Sequence, residues 1–287
     1  DWSSDVCSSD LERLQWGAPF IESLEQVLAY KSRNVTALAT GDPMWFGIGA
    51  TLSHRVGEDE MKVLPAPSAF SLAAARMAWP LADIECLSTH GRPIETLISF
   101  LTPDAKLLIL TANGDAPKDI AKLLVAQGFG ESRFTVLGNL GSDDELKIES
   151  PAAEWGGKEA PDLNTVAVIC HAGLNARIFP RTGGLPDNAF IHDGQITKRE
   201  VRAVTLSSLQ PLPGQLLWDV GAGCGSIAIE WMRSARNARA FSIEKNPKRR
   251  DMIKNNALGL GTPSLEIVAG SAPDEFRALE APDAIFI

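Results

Sequence analysis

Apolar and polar positions along this chain switch repeatedly between two periods. Short runs rich in Val, Ile and Leu read as strands. Each is followed by a stretch whose apolar residues return every three or four positions, as on one face of a helix. In residues 12 to about 170 the predicted strands are "NVTALAT", "MKVLPAP", "DIECLST", "KLLILTA", "RFTVLGNL" and "NTVAVICH". The predicted helices are "GDPMWFGIGATL", "SAFSLAAARMAW", "PIETLISFL" and "APKDIAKLLVAQ". Asp42 would cap the first with Pro43 in its opening turn, Ser68 would cap the second, and Gly128 would stop the last. Residues 173–188, "GLNARIFPRTGGLPDN", hold Gly and Pro without an apolar period and read as a linker. A second alternating run follows. It holds "TKREVRAVTLSSL", with Thr197 and Glu200 at capping-box spacing, then "QLLWDV", "SIAIEWM", "ARAFSIE", "PKRRDMIKNNALGL", "LEIVAG" and "DAIFI". This alternation on both sides of a linker predicts an α/β protein of two modules.

The ends depart from the pattern. Residues 1–11, "DWSSDVCSSDL", carry no period and read as a non-native segment. "APDAIFI" stops inside a strand-like run, so the chain is expected to be a fragment at both ends. Composition changes the picture less. A length of 287 residues suits two domains, and the net charge of −9 argues against a broad grip on nucleic acid. No stretch spans a bilayer and no signal-peptide pattern opens the chain. The four cysteines and four histidines show no CxxC or HExxH spacing. That predicts reduced thiols, a cytoplasmic location and no metal site.

Candidate chemistry concentrates in "LLWDVGAGCGSIAIEWM". A strand, then Gly221, Gly223 and Gly225, then a helix, is an arrangement for an anionic or nucleoside ligand. The dinucleotide fingerprint wants Gly or Ala where Ser226 stands, which counts against a nicotinamide oxidoreductase. Glu244 lies 19 residues after Gly225, at the end of the next strand, where a carboxylate can accept ribose hydroxyls. Asp219, the glycines, Glu244 and "GSAPDEF" together resemble the first motifs of Rossmann-like (class I) S-adenosylmethionine methyltransferases. The resemblance implies that Asp219 anchors the loop and the methionine amine, and that Gly270, Ser271 and Ala272 flank adenine.

"GLPDNAFIHDGQITKREVRAVTLSSLQPLPGQLLWDVGAGCGSIAIEWM" further resembles the carbon-15-methylating, decarboxylating module of cobalamin biosynthesis. This implies that Asp193, Gly194, Gln195 and Thr197 border the cofactor, and that Lys198, Arg199 and Arg202 meet carboxylates of an acidic substrate. The other reading of those three cations is a solvated helix face. "TGDPMWFGIGATL", "PAPSAFSLAAARMAW", "STHGRP", "LLILTANGDAP" and "GFGESRFTVLGNLGSDDE" resemble the tetrapyrrole methylases (class III methyltransferases), in their precorrin carbon-5-methylating branch. In that fold S-adenosylmethionine lies between two lobes. Here it would meet Gly41, Asp42, Pro43, Phe46, Ser68 and Ala69, while His90 and Arg92 contact macrocycle carboxylates or merely occupy a surface loop. Cys170 and His171 end a strand without further ligands spaced for a metal.

The implied layout is 12–66 as the remnant of a first lobe, 67–172 as the second lobe, 173–188 as linker and 189–287 as a Rossmann-like domain. The order of modules resembles the fused methyltransferases that act on a corrin precursor at two meso carbons and remove carbon dioxide from an acetate side chain. The implied cofactor is S-adenosylmethionine and the implied partner is a polycarboxylate macrocycle, with no nucleic acid, no membrane and a homo-oligomeric state. No general base is assigned, since the macrocycle carbons are themselves nucleophiles. A methyltransferase of another small molecule and an inactive binding fragment remain as alternatives. A protein or nucleic-acid methyltransferase would want a basic surface that this charge does not supply.

Overall fold

The computed structural model describes residues 12–17 and 19–287, so the segment read as non-native lies outside the described residues. The chain divides into two compact units, up to Ala66 and from Pro67 onward. The described part of the smaller unit holds α1 (Phe20–Ala29) and α2 (Ile48–Ser53) and no strand. "NVTALAT" and "MKVLPAP" are therefore not the strands their pattern predicts. A strand needs a neighbour's N–H and C=O groups, and neither run has a ladder partner. Val35, Leu38 and Leu64 stay exposed on them. The first helix also starts later than expected. The Asp42 carboxylate accepts the Met44 N–H at 2.8 Å, which spends the cap on a turn, and α2 begins only at Ile48.

The larger unit opens with α3 (Ala69–Met77), where Ser68 Oγ accepts the Ser71 N–H at 3.1 Å. Then come β1 (Glu85–Ser88), β2 (Lys106–Leu110), α4 (Ala116–Ala126), β3 (Arg133–Gly138), β4 (Leu146–Pro151) and β5 (Asn164–Ile169). "PIETLISFL" forms a 3₁₀ turn, Ile94–Phe100, rather than an α-helix. The five strands lie in the order β1-β2-β5-β3-β4, with only β1 and β2 parallel. Alternate residues face opposite ways. Leu107, Ile109, Phe134, Val136, Val166 and Val168 pack against α4 and Trp155, while Leu108, Leu137 and Ala167 pack against Phe70 and Ala73 of α3. Each large apolar side chain buried this way contributes about 1.5–3 kcal/mol.

The second sheet is built from α5 (Arg199–Leu209), β6 (Leu216–Val220), α6 (Ser226–Ser234), β7 (Arg239–Glu244), α7 (Pro247–Gly259), β8 (Glu266–Ala269) and β9 (Ala284–Phe286). Its strands run parallel in the order β8-β7-β6-β9. Leu217, Ile227, Ala228, Trp231, Ile253 and Leu260 form its core. In a parallel sheet all strand ends point one way, so the turns after β6, β7 and β8 gather at one edge.

Residues 173–188 connect the two sheets and are held along their length. The Gly173 and Arg177 N–H groups donate to the Gly128 and Gln127 carbonyls at 2.9 and 3.0 Å, and Leu185 is buried. The elements that flank the sheets also meet, where the Ile94–Phe100 turn reaches α6 and the end of α7. Ser99 Oγ donates to the Gly261 carbonyl at 3.2 Å and accepts from Arg233 Nη1 at 3.1 Å. Gly261 has φ +82°, and a Cβ there would lie 2.5 Å from Ser99 Oγ and 2.8 Å from the Ser99 nitrogen. Gly261→Ala is expected to cost more than about 1 kcal/mol from backbone handedness alone, with the clash on top. An unchanged urea midpoint would count against this joint as a stabilising contact.

Candidate functional site

The glycine loop leaves β6 at Val220. Gly221, Gly223 and Gly225 have φ values of +74°, +60° and +79°. Those conformations are open to glycine and strained for other residues. The Gly221 N–H donates to the Ile243 carbonyl at 2.8 Å, which draws the loop across the end of β7. The Gly225 N–H donates to the Ala222 carbonyl at 2.8 Å as the chain enters α6. A Cβ on Gly221 or Gly223 would meet nothing nearer than 4.0 Å, so the loop backbone borders open space. A Cβ on Gly225 would press to 3.0 Å from Ile253 of α7. The loop thus offers close approach on one side and is packed on the other.

Two buried carboxylates brace it. Glu244, 4% exposed at the end of β7, accepts the Gly223 N–H at 2.9 Å and the Asn246 N–H at 2.8 Å. Asp219, 1% exposed in β6, accepts the Ala228 N–H at 3.2 Å in the first turn of α6. Burial pushes the Asp219 carboxyl up from 3.8 to about 7, the bond from Ala228 opposes this, and the Glu244 charge adds to it. The folded chain therefore holds a proton here that the unfolded chain releases near 3.8. Asp219 favours the folded state most below 3.8, and that contribution is lost as pH rises through about 7. Asp219→Asn is expected to remove this fall from the stability–pH curve, which urea titrations across that window would record.

The segment before α5 lies against the same loop. Asn256 Oδ1 accepts the Ile191 N–H at 2.7 Å, and its Nδ2 donates to the Ile191 and Cys224 carbonyls, both at 2.9 Å. Arg249 Nε donates to Asp193 Oδ2 at 2.8 Å, and its Nη2 reaches Gln195 Oε1. The guanidinium holds the Asp193 carboxyl below its usual range. Gly194 donates its N–H to His192 Nδ1 at 3.1 Å. Gly270, Ser271 and Ala272 follow β8 at the same sheet edge, the last two exposed.

Two expectations in this segment need correction. Thr197 does not cap α5. The N-cap is Lys198 without a side-chain bond, and the Thr197 carbonyl instead accepts from Arg202. Arg202 is not presented to a substrate. It is fully buried and donates to Glu230 at 2.8 Å, to Asp187 at 2.7 Å and to the Thr197 and Leu185 carbonyls. Its donors are spent inside the fold, because a cation this deep is stable only when paired. Lys198 is exposed and lies 3.5 Å from Asp187, while Arg199 donates to the Gly184 carbonyl at 2.8 Å. The roles of Glu230, Arg249 and Asn256 escaped the sequence reading. Only their places at helical spacing hinted at inward faces.

The candidates of the first module are spread over both units. Gly41, Asp42, Pro43 and Phe46 belong to the smaller one, where Gly41 and Phe46 have φ values of +69° and +57°. Ser68 and Ala69 open α3 in the larger unit, and the Ser68 hydroxyl is engaged in the cap. His90 and Arg92 are exposed in the turn after β1, which is pinned by Thr89 Oγ1 on the Leu110 carbonyl at 3.0 Å. Burial raises the Cys170 thiol to about 12, which makes it unreactive, and His171 lies 3.2 Å from the Glu131 carbonyl. Among the described residues no cluster of three or more side chains is placed to hold a metal. No described helix is long and apolar enough to cross a membrane.

Comparison with known proteins divides the chain differently from the two compact units. Residues 17–155 match the family described as tetrapyrrole (corrin/porphyrin) methylases, and residues 188–287 match the precorrin methyltransferase domain. The chain is 46% identical over 276 residues to a Sinorhizobium precorrin-6Y C(5,15)-methyltransferase (decarboxylating), covering 96% of this chain and 67% of that protein. It is 38% identical to the Mycobacterium tuberculosis protein of the same description, covering 96% of this chain and 68% of the relative. A solved C-terminal domain of the Rhodobacter capsulatus precorrin-6Y C5,15-methyltransferase shares 42% identity over 38% of this chain and 59% of that one, with a TM-score of 0.36. The chain belongs to the family of decarboxylating precorrin-6Y C(5,15)-methyltransferases, S-adenosylmethionine-dependent enzymes of cobalamin biosynthesis.

Proposed function

We propose that the two modules of this chain each hold S-adenosylmethionine and methylate one precorrin-6Y at carbons 5 and 15, with loss of carbon dioxide from an acetate side chain. The observation that carries this reading is the Glu244 carboxylate set against the Gly223 N–H at 2.9 Å, inside a loop whose outer face is open. A carboxylate has about four lone-pair sites. Two are taken by backbone N–H groups, which leaves two for the paired hydroxyls of a ribose. Gly221, Gly223 and Gly225 admit the ligand's polar end, and Gly270, Ser271 and Ala272 border adenine. Asp219 holds the loop to α6, and Thr197 lies at the margin.

In the first module, Gly41, Asp42, Pro43 and Phe46 of the smaller unit, and Ser68 and Ala69 of the larger, are each put forward as cofactor-binding residues. His90, Arg92, Lys198 and Arg199 form cationic rims for substrate carboxylates; Arg202 is left out because it is buried. When bound, S-adenosylmethionine supplies an activated methyl group on a cationic sulfur. The protein's own task is to orient the ring carbon and exclude water, an effect worth on the order of 7 kcal/mol. The Glu244 carboxylate beside the loop suits a cationic ligand. We further place the protein in the cytoplasm, where thiols such as Cys86, Cys170 and Cys224 stay reduced, and take it to be a homo-oligomer. Calorimetric titration with S-adenosylhomocysteine is expected to give saturable heat. No heat at millimolar ligand would reject the cofactor reading.

A further inference from the structure

The cofactor pocket of the C-terminal module has two walls that are far apart in sequence. One is the strap of residues 191–197 and the other is the glycine loop of residues 221–225. All of α5 and β6 lie between them, so something else must register one against the other. The geometry points to α7. Arg249, Ile253 and Asn256 stand at i, i+4 and i+7, on one face of that helix. Ile253 is fully buried and fills the space beneath Gly225. Asn256, 3% exposed, holds both backbone groups of Ile191 and at once the Cys224 carbonyl. Arg249 ties the outer part of the strap through Asp193 and Gln195.

We infer that Asn256 and Arg249 are positioning residues, which fix the strap against the glycine loop and so set cofactor affinity without touching the cofactor. The inference rests on the reading that the loop holds S-adenosylmethionine. The primary amide of Asn256 is suited to the task. It offers one acceptor and two donors to three backbone groups. Aspartate lacks the donors, leucine lacks both, and glutamine is one methylene too long for the same reach. A ligand lying between unregistered walls must order them on binding, and that cost appears as lost affinity.

Hydrogen–deuterium exchange of the full chain, with and without S-adenosylhomocysteine, separates this from a merely structural role. In the wild type the ligand should slow exchange both in the strap and in the glycine loop. In Asn256→Ala, protection of the loop should persist at saturation while protection of the strap is lost. The dissociation constant read from the loop peptide should rise about tenfold, the scale of one unmade buried hydrogen bond. Arg249→Gln alters only a partly exposed side chain. It should weaken strap protection and raise the constant severalfold, and it decides the matter alone if Asn256→Ala does not fold. Wild-type constants and joint protection in the folded variants would overturn the inference, even if their unfolding midpoints fell. Absence of loop protection in the wild type would overturn the cofactor reading itself, and this inference with it.

Discussion

Glu244→Ala is expected to weaken S-adenosylhomocysteine binding in the C-terminal module about a hundredfold. Glu244 is an ionisable acceptor sunk at the end of β7, and it receives the Gly223 and Asn246 N–H groups at 2.9 and 2.8 Å. Hydrogen bonds to a charged group contribute about 1.5–3 kcal/mol each. Removing the carboxylate releases the middle of the loop and also deletes the ribose acceptor. A loss of roughly 3 kcal/mol corresponds to about two orders of magnitude. Glu244→Gln keeps the size but can accept at one oxygen only, so it should fall between wild type and alanine. Titration of the three proteins, read locally from the loop, checks the order. Equal affinity in all three would remove Glu244 from the pocket.

The largest expected effect on stability is at Arg202. Its guanidinium joins α5 to α6 through Glu230 and to the preceding segment through Asp187, and it stacks 4.9 Å from the Phe190 ring. Glu230, 1% exposed, also accepts the Gly184 and Leu185 N–H groups at 2.5 and 3.0 Å. Arg202→Met would leave that carboxylate buried without its cation. Breaking such a pair costs about 3–5 kcal/mol. Arg202→Lys keeps the charge but cannot reproduce the fork that meets four acceptors, so it should recover only part of the loss. Urea unfolding measures both. A stable Arg202→Lys protein with a raised KM for substrate would restore the role in substrate binding that burial argues against.

The C-terminal sheet was legible in the sequence because its signals are local. The Val220-to-Ser226 turn needs glycine at positive φ, and Glu244 falls at the end of the next strand by simple counting. "NVTALAT" shows the opposite case. Its pattern describes a backbone fit for a sheet, but pairing depends on a distant partner that the pattern does not contain. Strand β4 escaped notice for a related reason. It is an edge strand, and Lys147 and Glu149 on its outer face dilute the apolar signal to Leu146 and Ile148. Arg202 reads as one more cation on a helix between Arg199 and the core. Only the fold reveals Glu230 opposite it, 28 residues later. Asn256 is hidden in the same way: its spacing from Ile253 puts it on the inward face, but nothing in "MIKNNALGL" shows that it meets Ile191 and Cys224.

The central claim is that both modules deliver a methyl group from the same kind of donor to a single macrocycle. Mass spectrometry of precorrin-6Y incubated with the protein and S-adenosylmethionine addresses it directly. The expected product is heavier by two methyl groups and lighter by one carbon dioxide. An unchanged substrate mass, in a protein that binds S-adenosylhomocysteine, would contradict it.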